Sequence, residues 1–189
     1  FMESTPFKYL ETPRLQLREL TPDLYSQVMR SYSDNDIMKF FGMNDPAELE
    51  NEKNRHHQGM TMAGKSFLYF HLIQKDSGEV LGWCGYHTWY LKHRRAEIGY
   101  VLNEDQYKGK GYMKEAIPFV LNYGFENMNL NRIEALVAPG NIPSLKLLQR
   151  SGFKQEGILR EHFMKDGKLE DSVIFSLLVN EFENVTSDR

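Results

Sequence analysis

The segment between residues 95 and 138 constrains the fold most, because it predicts a strand, a glycine loop, a helix and a second strand in direct succession. Residues 95–102 have strand composition, and residues 131–138 alternate apolar and polar side chains. Between them, apolar side chains recur at helical spacing over residues 112–128. A strand–helix–strand unit of this kind is typical of two parallel strands that lie in one sheet.

The rest of the chain predicts further strands, joined by turns that favour antiparallel pairing. These strands cover Arg14–Leu20, Phe67–Gln74, Val80–Trp89, Phe153–Met164 and Ser172–Val179. The predicted helices cover Thr21–Ser33, Pro46–Lys65 and Asn141–Ser151, with a short helical piece after Ser33. We therefore expect an α/β (α+β) protein with a mixed, mostly antiparallel central sheet of about seven strands, one parallel strand pair and helices on both faces. A single domain over residues 11–181 would carry terminal extensions at residues 1–10 and 182–189.

Composition excludes several classes of partner. The chain has 23 Lys and Arg residues against 26 Asp and Glu, a net charge of −3, so we expect no direct contact with nucleic acid. No apolar run approaches the ~20 residues that a membrane span needs, and no signal peptide opens the chain. Cys84 is the one cysteine, and the adjacent His56 and His57 lack partners at metal-ligand spacing. We expect a cytoplasmic protein without a membrane segment or a bound metal.

Two glycine loops are candidates for binding phosphate, and the first has the wrong surroundings. Residues 59–66 match the pattern G-x-x-x-x-G-K-[ST] of nucleoside triphosphatases letter for letter. That loop requires a buried strand before it and a helix after it. Here a polar segment precedes the loop and the strand-like residues 67–70 follow it. A helix end and a turn fit better, and nucleotide binding at this loop is a distant alternative.

The second loop has the expected surroundings, since a strand leads into it and an amphipathic helix leaves it. It consists of Gln106, Tyr107, Lys108, Gly109, Lys110, Gly111 and Tyr112. The two glycines let a ligand approach the backbone, and the first N–H groups of the helix attract an anion. Spacing alone is equally compatible with a plain strand–helix turn that carries solvated lysines.

This loop resembles the acetyl-CoA pyrophosphate loop of the GNAT N-acetyltransferases, whose pattern is Q/R-x-x-G-x-G/A. Four further segments are similar to that family or to its RimJ/RimL-like branch, which includes acetylases of ribosomal-protein N-termini. They are Ala96–Leu102, Asn141-x-x-Ser144 followed by Ser151-Gly152-Phe153, Thr12–Arg18, and Gly157–Arg160 followed by Asp166-Gly167. The resemblance covers about residues 11–181.

The resemblance implies a GNAT-like fold with the parallel strand pair around the acetyl-CoA site. It also implies acetyl transfer from acetyl-CoA, as co-substrate, to a primary amine by direct attack in a ternary complex. The acceptor would be the N-terminal α-amine of a ribosomal or other protein, or a small-molecule amine. A different reading is a non-catalytic acyl-CoA-binding or regulatory module. The sequence does not choose between a monomer and a homodimer.

The same resemblance assigns the coenzyme A contacts outside the loop. The backbone of Tyr100, Val101 and Leu102 would pair with the pantetheine arm as an added strand would. A backbone N–H near Tyr100 and Val101 would stabilise the developing oxyanion. Asn141 and Ser144 would complete the cofactor site. As an alternative, Tyr100–Leu102 form a plain core strand, and Asn141 and Ser144 are helix-capping residues.

Glu97 is the first candidate for the catalytic base. An α-amine has a pKa near 8, so near neutral pH a base must accept its proton. Glu97 lies among apolar residues on the strand that would carry the thioester, and burial would raise its pKa. Alternatively, Glu97 pairs with a neighbouring arginine, namely Arg94, Arg95 or Arg132. The weaker base candidates, on the closing hairpin, are Glu161, His162, Glu170 and Asp171.

Ser144 is the candidate partner of the leaving thiolate. Many GNAT enzymes place a tyrosine on the helix after Asn141, but this chain has Leu148 at that position. Ser144 lies four residues earlier on the same helical face.

Two methionine- and phenylalanine-rich stretches are further candidates to line a substrate groove, although such residues are more often core. They comprise Met38, Phe40, Phe41, Met43, Met60 and Met62.

Overall fold

The computed structural model describes residues 7–59, 61 and 64–182 of the 189-residue chain. Its strands are β1 (Tyr9–Glu11), β2 (Leu15–Leu20), β3 (Lys65–Gln74), β4 (Val80–Tyr90), β5 (Arg95–Leu102), β6 (Arg132–Val137), β7 (Lys154–Lys165) and β8 (Lys168–Leu178). Its helices are α1 (Pro22–Ser31), α2 (Asp34–Phe41), α3 (Pro46–Gln58), α4 (Tyr112–Glu126) and α5 (Ile142–Arg150). Within the described residues, the strands form one sheet of eight in the order β1-β2-β3-β4-β5-β6-β8-β7.

The sheet confirms the predicted fold class. Neighbouring strands pair antiparallel except β5 and β6, which pair parallel. The strand beyond the expected seven is β1, which begins at Tyr9, two residues before the expected domain start. No helix in the described ranges has the length and apolar character needed to cross a membrane.

Capping residues set the starts of the first three helices. The side chains of Thr21, Ser33 and Asp45 each accept a hydrogen bond from a backbone N–H in the first helical turn. Such bonds satisfy donors that have no partner inside the helix. The polar residues before each apolar run therefore fix where these helices begin.

The predicted extent of α3 is wrong at its C-terminus. The helix ends at Gln58 rather than near Lys65, and Gly59 follows with a φ of 80°, which a side chain would disfavour. Lys65 is already the first residue of β3. Residues 60, 62 and 63 lie outside the described part of the chain. The loop at 59–66 thus has a helix before it and a strand after it, the reverse of a nucleotide-binding phosphate loop.

Two hydrophobic layers cover the two faces of the sheet. On one face α4 packs against core residues that include Phe70, Tyr86 and Ile98. On the other face α1, α2 and α3 pack around Phe67. Side chains alternate between the faces along each strand, so neighbouring residues of β4 and β5 belong to different layers.

The parallel pair of β5 and β6 is short. Its register contains three positions, and Glu97 opposite Glu134 is the last. Beyond Glu97, β5 stays paired with β4 as far as Leu102. The two parallel strands therefore separate, which opens a gap in the middle of the sheet.

Candidate active site

A cavity of about 180 Å³ occupies the gap between β5 and β6. Its lining residues are His87, Glu97, Ile98, Gly99, Tyr100, Ala135, Leu136, Val137, Ala138, Asn141 and Ser144. Four residues that the sequence singled out meet here, namely Glu97, Tyr100, Asn141 and Ser144. They come from a strand and a helix that are about 40 residues apart in sequence, and the gap in the sheet brings them together.

The cavity passes through the sheet. Ile98 and Tyr100 belong to the layer that packs against α4, and α5 joins the same layer through Leu148. Since side chains alternate along a strand, Glu97 and Gly99 face the opposite side, toward α1–α3. One mouth of the cavity thus carries Tyr100 with residues of α5, and the other carries Glu97.

Glu97 has a histidine neighbour that the sequence did not indicate. The Nε2 atom of His87 lies 3.4 Å from Oε1 of Glu97, whose side chain is 23% exposed. The other ring nitrogen of His87, Nδ1, lies 3.1 Å from the Thr88 hydroxyl. Carboxylate and imidazole together form a group that can accept a proton at the mouth facing α1–α3.

A β-bulge places His87 beside Glu97. In the β4–β5 register Tyr86 is opposite Ile98 and Thr88 is opposite Glu97, so His87 is the extra residue. Gly99 makes room for the imidazole, because a Cβ at that position would lie 2.7 Å from Cδ2 of His87. Sequence patterns do not reveal a bulge, and this explains why His87 was missed.

Glu97 does not pair with the neighbouring arginines. Arg95 and Arg132 bind Glu134 instead, at 2.9 Å and 2.7 Å. Arg94 donates to the turn before β6. The Glu97 carboxylate therefore contacts His87 and stays accessible to a ligand in the cavity.

The closing-hairpin candidates lie elsewhere. Glu161, His162, Glu170 and Asp171 belong to β7 and β8, and none of them lines the described cavity. The carboxylate of Asp171 accepts a hydrogen bond of 2.8 Å from the backbone N–H of Glu161. Nδ1 of His162 lies 3.1 Å from the Ser172 hydroxyl. These four side chains therefore lie apart from the cavity that Glu97 lines.

At the opposite mouth, Ser144 and Tyr100 are neighbours. The backbone N–H of Ser144 donates to Oδ1 of Asn141 at 3.3 Å, and this bond caps α5 without using the Ser144 hydroxyl. Burial raises the pKa of Tyr100 to about 12, against the opposing effect of the adjacent Ser144 hydroxyl. The phenol oxygen is buried and makes no hydrogen bond of ordinary geometry to any described residue. Leu148 is fully buried in the core, so it offers nothing to this mouth.

The glycine loop has the conformation of an anion site. Gly109 and Gly111 have φ values of 73° and 79°. No heavy atom lies within 4 Å of the position that a Cβ of Gly109 would occupy. Gly111 precedes α4 without a side-chain cap, so the first N–H groups of that helix lack a side-chain acceptor. An open backbone loop at a helix N-terminus can hold an anion.

Within this loop, some polar groups are already engaged. Lys108 pairs with Asp105 at 2.5 Å, and the Gln106 amide donates to Glu104. Tyr107 packs against the core, and Tyr112 is buried at the start of α4. The backbone N–H groups and Lys110 are therefore better candidates to contact an anion than Lys108.

Arg14, from the loop before β2, braces the glycine loop. Its guanidinium donates to the backbone oxygen of Lys110 at 3.0 Å and lies 4.6 Å from the ring centre of Tyr112. It also pairs with Glu115 at 2.6 Å. Burial alone would raise the pKa of Glu115, but hydrogen bonds from Thr12 and Arg14 lower it below its ordinary value. The early Thr12–Arg18 motif therefore supports the loop, a role that its distance in sequence concealed.

The end of β5 can accept a further strand. Past Glu97 its edge toward β6 has no partner strand among the described residues, and Val101 is 44% exposed. Unpaired backbone groups at such an edge are suited to an extended ligand. In the same described ranges, no three His, Cys, Asp or Glu side chains cluster closely enough to hold a metal ion.

Comparisons with known proteins agree with this geometry. A family profile described as an acetyltransferase (GNAT) domain matches residues 14–154. An uncharacterized N-acetyltransferase of Bacillus licheniformis, p20, is 35% identical over 92% of this chain and 97% of that protein. The ribosomal protein uS5-alanine N-acetyltransferase of Escherichia coli (strain K12) is 31% identical over 59% of this chain and 58% of that protein. A GNAT-family acetyltransferase structure from Bacillus anthracis superposes with a TM-score of 0.62 at 27% identity, over 90% of this chain and 98% of that one.

Proposed function

Because the chain belongs to the GNAT acetyltransferase family and is an N-acetyltransferase, we propose that it moves the acetyl group of acetyl-CoA to a primary amine by direct attack in a ternary complex. The observation that carries this proposal is the cavity through the sheet. It offers a proton acceptor, Glu97, at one mouth and hydroxyl groups at the other. Two substrates can therefore meet from opposite faces.

Coenzyme A would approach from the face covered by α4 and α5. Its pyrophosphate would bind the N–H groups of the loop from Gln106 to Tyr112, where the backbone at Gly109 is open and a Cβ at Gly111 would lie 3.6 Å from the Arg14 side chain. Its pantetheine arm would pair with the backbone of Tyr100–Leu102 and lie beside Asn141 and Ser144. This arrangement would place the thioester in the gap beyond Glu97.

Glu97 would accept the proton that the amine loses, directly or through a water molecule. The amine nitrogen forms a bond to the acetyl carbon, and the bond between that carbon and sulfur breaks. One proton leaves nitrogen for Glu97, and one proton from solvent or Ser144 reaches sulfur. His87, in contact with the carboxylate, would hold Glu97 in position.

Ser144 would stabilise the departing thiolate. A thiol has a pKa of about 8.5, so a thiolate leaves without a strong acid and a hydroxyl donor is sufficient. Backbone N–H groups near Tyr100 and Val101 would stabilise the carbonyl oxygen as negative charge develops on it.

The acceptor is a primary amine, and two sources fit. The Escherichia coli relative acetylates an alanine of ribosomal protein uS5, which favours a protein N-terminal α-amine. A small-molecule amine is the second candidate. The oligomeric state, monomer or homodimer, and the cytoplasmic location expected from the sequence stay predictions.

Steady-state kinetics tests the proposal. Thiol release is measured while acetyl-CoA and an acceptor amine are both varied, and a ternary complex gives intersecting double-reciprocal lines. Parallel lines would indicate an acetylated enzyme and contradict direct attack. Tight coenzyme A binding without thiol release, across protein N-terminal peptides and small amines, would instead support a non-catalytic binding module.

A further inference from the structure

A second cavity lies between the sheet and helices α1–α3. It has a volume of about 260 Å³. Four aromatic side chains form its walls, namely Tyr25, Phe41, Tyr69 and Trp83. The rings of Tyr69 and Trp83 lie 4.9 Å apart. We call this space the aromatic pocket.

Trp83 lies between the aromatic pocket and the mouth of the β5–β6 cavity that carries Glu97. The ring atom Cη2 of Trp83 lies 3.0 Å from the position that a Cβ of Gly99 would occupy, and Cδ2 of His87 lies 2.7 Å from the same point. The tryptophan and histidine rings therefore meet above one glycine. A molecule in the aromatic pocket would border Trp83 on one side, with Glu97 and His87 beyond the ring.

The direction from which the acceptor amine must reach the thioester also favours the aromatic pocket as its binding site. On the proposed function, coenzyme A occupies the face of the sheet that α4 and α5 cover. The acceptor amine must then reach the thioester from the other face, where Glu97 lies. On that face the aromatic pocket adjoins this mouth across Trp83.

The charges around the pocket argue against a second positive charge on the acceptor. Glu52 already accepts a hydrogen bond of 2.7 Å from the Tyr25 hydroxyl and pairs with Arg55 at 3.4 Å. The carboxylate of Glu48 also faces the pocket, but from an exposed position where water screens it.

A positive charge lies behind the inner end of the pocket. His71 is buried there, and burial together with Arg18 lowers its pKa to about 3, so the ring is neutral near pH 7. The guanidinium of Arg18 lies 2.9 Å from Nδ1 of His71 and stacks 3.6 Å from the ring centre of Phe40. Arg18 does not line the pocket itself, so a second ammonium group at the inner end would meet the neutral His71 ring with the Arg18 guanidinium behind it, and Arg55 on the other side.

We propose that the aromatic pocket binds the body of the acceptor, and that the acceptor is a primary amine on an apolar, preferably aromatic, group with no second positive charge. The proposal rests on the proposed acetyltransferase reaction and names its substrate class. Trp83 is the residue that sets this specificity.

A matched set of amines tests the proposal with the full chain and acetyl-CoA. Thiol release is compared for phenethylamine, phenylalaninamide, ethylamine and 1,4-diaminobutane. Because the pocket would bury a phenyl ring, we expect one of the two aromatic amines to have a kcat/KM at least about tenfold higher than that of ethylamine or 1,4-diaminobutane. If only phenethylamine is turned over, the acceptor is a free small-molecule amine. If only phenylalaninamide is turned over, the acceptor is the N-terminal residue of a peptide. A preference for ethylamine or the diamine would overturn the specificity while leaving acetyl transfer intact, and no turnover of any amine would overturn both.

Two tryptophans of β4 provide a variant and its control. Trp83→Leu is expected to reduce the ratio of aromatic to ethylamine kcat/KM by about tenfold, because it removes the wall that the aromatic body contacts. Trp89→Leu changes a tryptophan outside the pocket and should leave that ratio within about twofold of the parent value. Equal ratios in all three proteins would contradict the role of Trp83. Calorimetric binding of coenzyme A shows whether each variant is folded.

The buried Tyr100 hydroxyl carries a second, independent inference. A buried hydroxyl needs a hydrogen-bond partner, and the Ser144 hydroxyl is the neighbouring group that acts on the Tyr100 phenol. Its raised pKa keeps the phenol protonated, and therefore a donor, across the physiological range. Ser144 is its neighbour, and Leu148 leaves the mouth without another phenol from α5.

We infer that Tyr100 is a positioning residue for Ser144. Its hydroxyl would donate to Oγ of Ser144, which frees the serine proton to point at sulfur. No proton passes through Tyr100 in this arrangement, since the thiolate receives a hydrogen bond and its proton comes from solvent.

A double-mutant cycle tests the second inference. Tyr100→Phe should lower kcat about three- to fivefold, the value of one hydrogen bond between neutral groups. The double variant Tyr100→Phe with Ser144→Ala should be no slower than Ser144→Ala alone. Multiplicative losses in the double variant, or an unchanged kcat in Tyr100→Phe, would overturn the inference.

Discussion

The imidazole Nε2 of His87 lies 3.4 Å from Oε1 of Glu97, and the bulge in β4 brings the two side chains together. The pair stands at the mouth of the cavity that faces α1–α3. An acidic side chain that is half-buried and in contact with a histidine can exchange a proton with an incoming amine while its orientation is kept. This relationship leads to the first two predictions.

Replacing Glu97 by glutamine should abolish most of the activity at pH 7. Loss of a general base typically costs about 10²–10⁴ in rate. Part of the rate should return at higher pH, because the amine is then already neutral. The pH dependence of kcat/KM with a true acceptor checks this.

Glu134→Gln is the matched control, because Glu134 is opposite Glu97 in the register but binds Arg95 and Arg132. That variant should melt at a lower temperature and keep its kcat within a few-fold. A Glu97→Gln enzyme with a normal rate at pH 7 would shift the role of base to Glu161, Glu170 or Asp171.

Removing the His87 side chain should weaken the reaction through Glu97. His87→Ala is expected to lower kcat by about ten- to a hundredfold, since a catalytic group that loses its orientation costs rate on this scale. Combining His87→Ala with Glu97→Gln should add little to the loss from Glu97→Gln alone. Losses that multiply in the double variant would assign His87 a function independent of the carboxylate.

Substitution of the loop glycines should impair coenzyme A binding. Gly109→Val or Gly111→Val would place side chains where the pyrophosphate must lie, and the affinity should fall more than about tenfold, or ~1.4 kcal/mol. Titration calorimetry measures the effect. Gly78→Val is a matched control, because Gly78 has a similar φ of 72° and equally open surroundings in the turn before β4. Equal affinities in the loop variants and this control would remove the assignment.

Ser144→Ala should slow departure of the thiolate without unfolding α5. A hydrogen bond of about 1 kcal/mol corresponds to a loss of about fivefold in kcat, smaller than the loss from Glu97→Gln. The capping bond to Asn141 uses the Ser144 backbone N–H, so the melting temperature should stay unchanged. An unaltered kcat would mean that solvent protonates the sulfur without help from Ser144.

Acid should destabilise the protein through Glu156. Hydrogen bonds from Arg132, followed by one from Ser176, lower the pKa of Glu156 from 4.5 to about 2. A carboxylate whose pKa is lowered in the folded state stabilises that state above its unfolded pKa, and the contribution is lost as the pH falls toward 2. Thermal melts between pH 7 and pH 2.5 should therefore fall less steeply below pH 4.5 for Glu156→Gln than for the parent. Curves that remain parallel would show that Glu156 has no part in acid unfolding.

The fold could be predicted where local patterns carry the information. The strand–loop–helix–strand unit around Gly109 specified the parallel pair, and capping residues such as Thr21 set the helix starts. The C-terminus of α3 was misplaced, because a polar helix without an apolar stripe gives no signal for its last turn. β1 was missed, since three residues are too few to show alternation.

The sequence singled out candidate-site residues that belong to a motif and missed those that depend on the fold. Glu97 and Ser144 were singled out from their positions in strand and helix, and both line the cavity. His87 depends on a bulge, and Arg14 reaches the glycine loop across about 100 residues of sequence, so neither is visible in local spacing. Of the groove candidates, Phe41 and Met43 line the aromatic pocket. Phe40 and Met38 belong to the core beneath it, and Met60 and Met62 lie outside the described residues.

The three-position register between β5 and β6 divides the sheet into two plates, with β1–β5 on one side and β6, β8 and β7 on the other. A coenzyme bound across that seam would act as a clamp between the plates. Ligand at a hundred times its dissociation constant adds about 2.7 kcal/mol to the free energy of unfolding. The resistance of this protein to heat and proteases would then rise with the concentration of the coenzyme around it.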